Sequence, residues 1–180
     1  MKIILIVGWI LLCATLGFAQ SVSGTESGMD LYRNGEFEKA VEVLERVVRP
    51  DSTDKLAWMY LGASYLKLDK KKEATLAFQK SKFIYRDSLG LFDRDMKVIR
   101  MPKAPYTDRA RESNVTGTVR VAVEYRADGK IGFVFPIQTL PEGLTDNCLK
   151  AARGIEFEPA IKNGRPVDVV SIVTYSFSIY

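Results

Sequence analysis

The chain has 180 residues, 47% of them hydrophobic and 27% charged, the composition of a globular protein with room for one ordinary domain or two small ones. Its formal net charge of +4 is spread along the sequence rather than gathered into one basic stretch, which argues against nucleic acid as a partner. No histidine is present, so the usual general base and the commonest metal ligand are missing, and no phosphate-binding glycine loop or nucleophile elbow replaces them. Neither an enzyme nor a cofactor site is expected.

The chain opens with Met1-Lys2 and an apolar run from Ile3 to Phe18, and Gly17-Phe18-Ala19 sets small residues where a signal peptidase reads them. Residues 1–19 therefore read as an export signal cleaved before Gln20, giving a periplasmic protein of a two-membrane bacterium. The run is also at the short limit of a membrane span, which leaves an inner-membrane anchor facing the periplasm as the alternative; a membrane is a partner only in that case. Cys13 has Leu11-Leu12 before it rather than a small residue, and makes a poor lipid-attachment site. Beyond the signal one cysteine is left, Cys148, which sits on the apolar stripe of a helix and reads as a small buried hydrophobe.

Residues 22–88 contain a repeat. A shift of 34 residues lays Asn34-Gly35-Glu36-Phe37-Glu38-Lys39-Ala40 on Leu68-Asp69-Lys70-Lys71-Lys72-Glu73-Ala74, and Gly28 on Gly62. In the second copy Trp58, Leu61, Gly62, Tyr65, Ala74 and Phe78 fall at the positions of a tetratricopeptide repeat, which it resembles. Gly62 and Ala74 would let two helices approach closely, with Trp58 and Phe78 buried around the crossing. The first copy has Gly24 in place of the Trp, so its first helix is expected to start late. Lys70-Lys71-Lys72 reads as a solvated turn, and the acids Asp51, Asp54, Asp93 and Asp95 read as loop and helix-cap residues rather than metal ligands. By the repeat alignment Leu56, Met59, Ala63 and Lys67, with Met29, Tyr32 and Arg33 from the first copy, line the inner face of the array and would contact a peptide held there. Two repeats need a cap, and residues 89–103, with Leu89, Leu91, Phe92, Met96, Val98 and Ile99, are too apolar for a free linker.

Residues 104–180 carry two hairpins. Val119, Val121, Val123 and Tyr125 alternate with Thr118, Arg120, Ala122, Glu124 and Arg126, a half-buried strand whose partner Ile131 to Ile137 follows a type I′ turn at Asp128-Gly129. Asn163-Gly164 is a second such turn, leading into a long strand from Val167 to Tyr180. Between them Leu144, Cys148, Leu149, Ala152 and Ile155 mark an amphipathic helix. These features in this order resemble the C-terminal domain of the TonB energy-transducing family: Tyr106 and Ala110, Gly117 with the Val119 and Val121 strand, Asp128-Gly129-Lys130, Gly143-Leu144, Phe157 with Pro159-Ala160, Gly164 with Pro166-Val167, and Phe177. Thr107 departs from the family, which has Pro after the Tyr. The expected architecture is thus α+β in two domains, an all-α unit of tetratricopeptide helical hairpins and a small antiparallel sheet with a helix packed on one face.

The resemblance implies recognition of a short extended segment, in the family that of a TonB-dependent outer-membrane transporter, by strand addition. Val169, Ser171, Val173 and Tyr175 are then expected beside the incoming segment, with Phe157 and Pro159 near one end and Arg111 where the family has a partner-touching Gln. The chain's own Met96 to Met101 could instead cover that edge, and a second copy of the chain could use it to form a homodimer. Two function classes follow. One is a periplasmic adaptor binding an extended peptide segment through the sheet and a second partner through the helical array. The other is a membrane-anchored energy transducer, against which stand the lack of His in the apolar run and of a long Pro-rich spacer; the residues between Arg86 and Pro105 would reach only about 65 Å fully extended.

Overall fold

In a computed structural model the described residues are 23–48, 52–81 and 92–179. Residues 1–19, expected to be an export signal, and Pro50, Asp51, Leu89, Leu91 and Tyr180 lie outside them. No helix among the described residues is long and apolar enough to cross a membrane.

Four helices come first: α1 (Gly24–Arg33), α2 (Phe37–Val47), α3 (Lys55–Lys67) and α4 (Lys71–Ser81). They reproduce the 34-residue period as geometry. Helix α4 begins and ends at the counterparts of the α2 termini, and the turns between helices place Gly35 at φ +80° and its counterpart Asp69 at φ +57°. A β-carbon on Gly28 would come within 2.4 Å of Leu44, and one on its counterpart Gly62 within 2.8 Å of Phe78, again counterparts. Each hairpin thus closes by pressing a large side chain of its second helix onto a bare backbone patch of its first. Helix α1 starts late, as expected, with Ser23 accepting from the Glu26 N–H, and Asp54 caps α3 by accepting from Ala57 N at 2.9 Å. Ala74 and Phe78 are fully buried. Trp58 is not: it is only half-buried, its indole N–H donating to the Ser52 carbonyl while the Lys80 ammonium sits 4.7 Å from its ring centroid.

The second half begins with β1 (Lys97–Arg100) and a short helix α5 (Asp108–Glu112), followed by β2 (Gly117–Tyr125), β3 (Ile131–Gln138) and α6 (Leu144–Arg153). Three short strands, β4 (Glu156–Glu158), β5 (Ala160–Lys162) and β6 (Arg165–Val167), lead into β7 (Val169–Phe177). The main sheet has the order β3-β2-β7, all antiparallel, while β1 pairs with β4 and β5 with β6. The two predicted turns differ. Asn163 and Gly164 both have positive φ, as a type I′ turn requires, and Lys162 pairs directly with Arg165. At Asp128-Gly129 only Gly129 does; its N–H donates to Arg126 O, and Arg126 N donates to Lys130 O, so the loop is a type I turn closed by a bulge. The long terminal strand is also interrupted, because Asp168 turns its carboxylate to accept from Ala127 N at 2.7 Å, ending β6 and starting β7 afresh.

Thr107 explains its own departure from the family pattern. Its hydroxyl caps α5 by accepting from Ala110 N at 3.1 Å and donates to the Glu142 carbonyl at 2.7 Å, tying the entry of the domain to the start of α6, which a proline could not do. The apolar stretch before it docks rather than dangles. Met96 is buried, Phe92 packs on the same core, and Arg94 bridges to Ile161.

The main correction concerns the sheet. A strand with one apolar face was expected, yet both faces of β2 and β7 are buried. Val119, Val121, Val123, Tyr125, Val169, Val173, Tyr175 and Phe177 pack with Leu144, Cys148 and Ala152 of α6. On the opposite face Ala122, Val170 and Ile172, with Phe133 and Phe135 from β3, join the core of the helical array. The sheet is therefore the middle layer of three.

Candidate functional site

The edge of the sheet at β7 is the first candidate. Among the described residues β7 has one ladder partner, β2, along its whole length from Val169 to Phe177, so its other side carries main-chain donors and acceptors outside any sheet. The Met96 to Met101 segment does not fill that place. Strand β1 pairs with β4 instead, leaving between β1 and β7 a groove of about 260 Å³ lined by Met96, Val98, Met101, Ile155, Ser171 and Val173. Val98 and Met101 are exposed hydrophobics on its rim.

The predicted residues at this edge fall into two groups. Val169, Ser171, Val173 and Tyr175 all lie on β7, their side chains buried and their main-chain groups directed to β2, so the backbone open to an incoming strand belongs to the alternating residues Ile172, Thr174 and Ser176. Tyr175 has a phenol pushed up to about 12, by burial first and by the neighbouring Cys148 second, and its buried hydroxyl has no hydrogen-bond partner among the described residues. Phe157 is core: it sits on β4 with its ring edge-on to Tyr125 at 5.0 Å, behind the sheet edge rather than on it. Pro159 is half-buried in the two-step from β4 to β5. Arg111 lies at the end of α5, its guanidinium 5.5 Å from the Tyr106 ring centroid, and helps line a cleft of about 590 Å³ with Ser176, Phe177, Ser178 and Ile179 at the far end of β7. The Tyr106 hydroxyl donates to the Val115 carbonyl and its ring stacks on Phe177 at 5.6 Å, which fixes the platform under Arg111.

The inner face of the helical array is the second candidate, and here the structure departs from the open groove expected. Met29, Tyr32, Met59 and Ala63 are buried, against the sheet. The centre of this contact is Glu124 of β2, only 2% exposed. Its Oε1 accepts from the Tyr32 hydroxyl at 2.5 Å, and its Oε2 accepts from the Lys67 ammonium at 2.8 Å and from Phe133 N at 3.3 Å. The Tyr32 phenol is held far above its ordinary range, chiefly by burial and then by the Glu124 carboxylate beside it. Lys67 also stands 5.6 to 5.9 Å from the ring centroids of Phe133, Tyr32 and Phe37, a cationic site within an aromatic wall. Room for the carboxylate comes from Gly132, where a β-carbon would lie 2.0 Å from Oε2. Arg33 reaches the same junction from α1, its Nη1 on Asp30 at 3.0 Å and its Nε donating to the Asp168 carbonyl at 3.4 Å. Leu56 sits to one side, lining a cleft with Met29, Asp54 and Lys162. The sequence signal for this contact was slight. Glu124 occupies a position whose parity reads as solvent, and Gly132 interrupts a strand without being in a turn.

Comparison with known proteins bears on the second half of the chain. Residues 102–179 match the model of the family described as Gram-negative bacterial TonB protein C-terminal. This region is similar to TonB C-terminal domains. The solution structure of the Pseudomonas aeruginosa TonB C-terminal domain is 26% identical over 48% of this chain and 89% of its own, with a TM-score of 0.40. That of Helicobacter pylori TonB is 20% identical over 43% of this chain and 72% of its own, with a TM-score of 0.30. No curated protein matches the chain. The TonB-like region begins at Pro102, just after β1, so the helical array and β1 stand outside the match.

Proposed function

We propose that this chain is a periplasmic adaptor for protein–protein interaction that takes up an extended peptide segment by adding it as a strand to β7. The observation that carries this reading is the side of β7 that, among the described residues, pairs with no other strand, beside an apolar groove. Main-chain pairing along that edge supplies affinity, and the groove and the Arg111 cleft supply selection. The match of residues 102–179 to the TonB family supports an outer-membrane transporter as the source of the segment. The helical hairpins are read as two tetratricopeptide repeats on the strength of their 34-residue geometry. Replacing Thr174 with Pro removes one main-chain N–H on the side of β7 that faces away from β2. The expected outcome is retained circular dichroism with loss of outer-membrane protein capture; retained fold with retained capture would overturn strand addition here, and appearance of a monomer from a wild-type dimer would assign the edge to self-pairing.

The apolar run Ile3 to Phe18, together with the family match, favours a second reading, a membrane-anchored energy transducer. Membrane fractionation and intact mass separate the two. Protein starting at Gln20 in the soluble periplasmic fraction supports the adaptor, and full-length protein in the inner membrane supports the transducer.

A further inference from the structure

The two coverings of the sheet are chemically unlike. Against α6 the contact is carried by aliphatic and aromatic side chains and the Cys148 thiol, and no ion pair among the described residues joins α6 to the sheet. Against the helical array the contact is built around an ion pair, Glu124 with Lys67, reinforced by the Tyr32 hydroxyl and by Phe133 N. At its margin Lys162 of β5 meets Glu26 of α1 at 3.0 Å, the Asp168 carbonyl receives long bonds from Arg33 and Tyr60, at 3.4 and 3.5 Å, and among the described residues Arg33 Nη2 is buried without a hydrogen-bond partner. Closing such a surface takes charged groups out of water, and opening it returns their hydration. An all-apolar surface has no such return. The array face is therefore the seam whose opening restores hydration to charged groups, although it also buries several aromatic rings.

We propose that this seam is an autoinhibitory latch, in which the sheet, with Glu124 as its key, occupies the inner face of the helical array as an intramolecular ligand and closes that face to other partners. The surface is complete as a receptor. Lys67 and Tyr32 supply the donors for a carboxylate, the rings of Phe37 and Tyr60 surround them, and Met29, Met59 and Ala63 form the apolar floor. A partner that displaces the sheet has to bring the same chemistry, an extended acidic segment with apolar or aromatic residues flanking the acid. The inference rests on this seam and is independent of whether β7 takes up a strand.

The test is hydrogen exchange on the full chain, wild type beside Lys67→Met and Glu124→Gln, with binding of an apolar fluorescent dye followed in parallel. A latch gives a sub-global opening in which amides of α1, α3 and β3 exchange while the β2–β7 ladder and α6 stay protected. That opening is expected to be at least about tenfold more frequent in both variants, with a matching rise in dye binding, since each removes the charge pairing of a buried pair. If helices and sheet exchange together in one global step in wild type and in Lys67→Met alike, the seam is a permanent core and the proposal falls. Should Glu124→Gln fail to fold, Lys67→Met carries the test alone, because its side chain is 31% exposed and its removal leaves Glu124 bonded to Tyr32 and Phe133.

Discussion

The two faces of the β3-β2-β7 sheet bury comparable side chains in different company. Toward α6, Val119, Val121 and Val123 meet Leu144 and Cys148 in a wholly apolar contact, the packing that a short amphipathic helix and an alternating strand produce by themselves. Toward the array, Ala122 and Glu124 of the same strand meet Tyr32, Lys67 and Phe78. Apolar contact is tolerant of register, whereas a carboxylate that must meet a phenol and an ammonium fixes one arrangement. The difference teaches that the first face makes the domain and the second face sets how the helical unit is attached to it.

The strongest way to break this comparison is truncation on each side. Phe78→Ala, which empties the place between the array and the rings of Phe133 and Phe135 at 6.4 and 6.1 Å, is expected to cost about 3–5 kcal/mol in urea unfolding, and Leu144→Ala on the other face about 2–5 kcal/mol. Amide shift changes in Phe78→Ala should concentrate in the helices and β3. Changes spread equally into α6 would erase the distinction between the faces. A smaller effect is expected within the array. Ala74→Leu overpacks the crossing of α3 and α4, where Ala74 is fully buried, and should lower stability by about 1–3 kcal/mol; an unchanged melting temperature would mean that the crossing is not where the repeat geometry puts it.

The two copies of the repeat can be set against each other at their turns. Gly35→Ala puts a side chain at φ +80° and should cost about 1 kcal/mol, whereas Asp69→Gly relieves φ +57° at the equivalent place and should not destabilise by more than a few tenths. Equal losses from both would show that the turns are not equivalent. The smallest effect concerns the α6 face. Burial pushes the Cys148 thiol up to about 11, against about 8.5 in an unfolded chain. The neutral thiol is favoured in the fold, so this contribution to stability is whole below pH 8.5 and is lost as pH rises toward 11. Alkylation of native protein at pH 8 is expected to be far slower than after unfolding, and equal rates would place the thiol at the surface.

Much of the local structure was legible because its causes are local. The 34-residue period, the late start of α1, the cap at Asp54 and the type I′ turn at Asn163-Gly164 all depend on neighbours a few residues apart. The errors are local and tertiary in turn. The turn at Asp128-Gly129 adopts a bulge because the strand register carries Tyr125 opposite Ile131, and Trp58 faces an outer hollow beside Lys80 instead of the crossing. Phe157, expected near a partner, lies in the core because β4 is paired with β1 and backed by Tyr125.

By itself the sequence determined that the helices of the first half come as two similar hairpins, and that residues from about 104 onward form a sheet, with its β2–β3 hairpin and its long last strand, and a helix on it. Only the tertiary structure decided what covers the second face of that sheet and therefore what fills the inner face of the array. The physical reason lies in the distance over which the decision is made. Glu124 alternates with valines as a solvent-facing residue would, and Tyr32 and Lys67 sit on helix faces as ligand-binding residues would; their pairing joins positions 92 and 57 residues apart. No periodicity records a contact between two surfaces each of which, alone, would be wet.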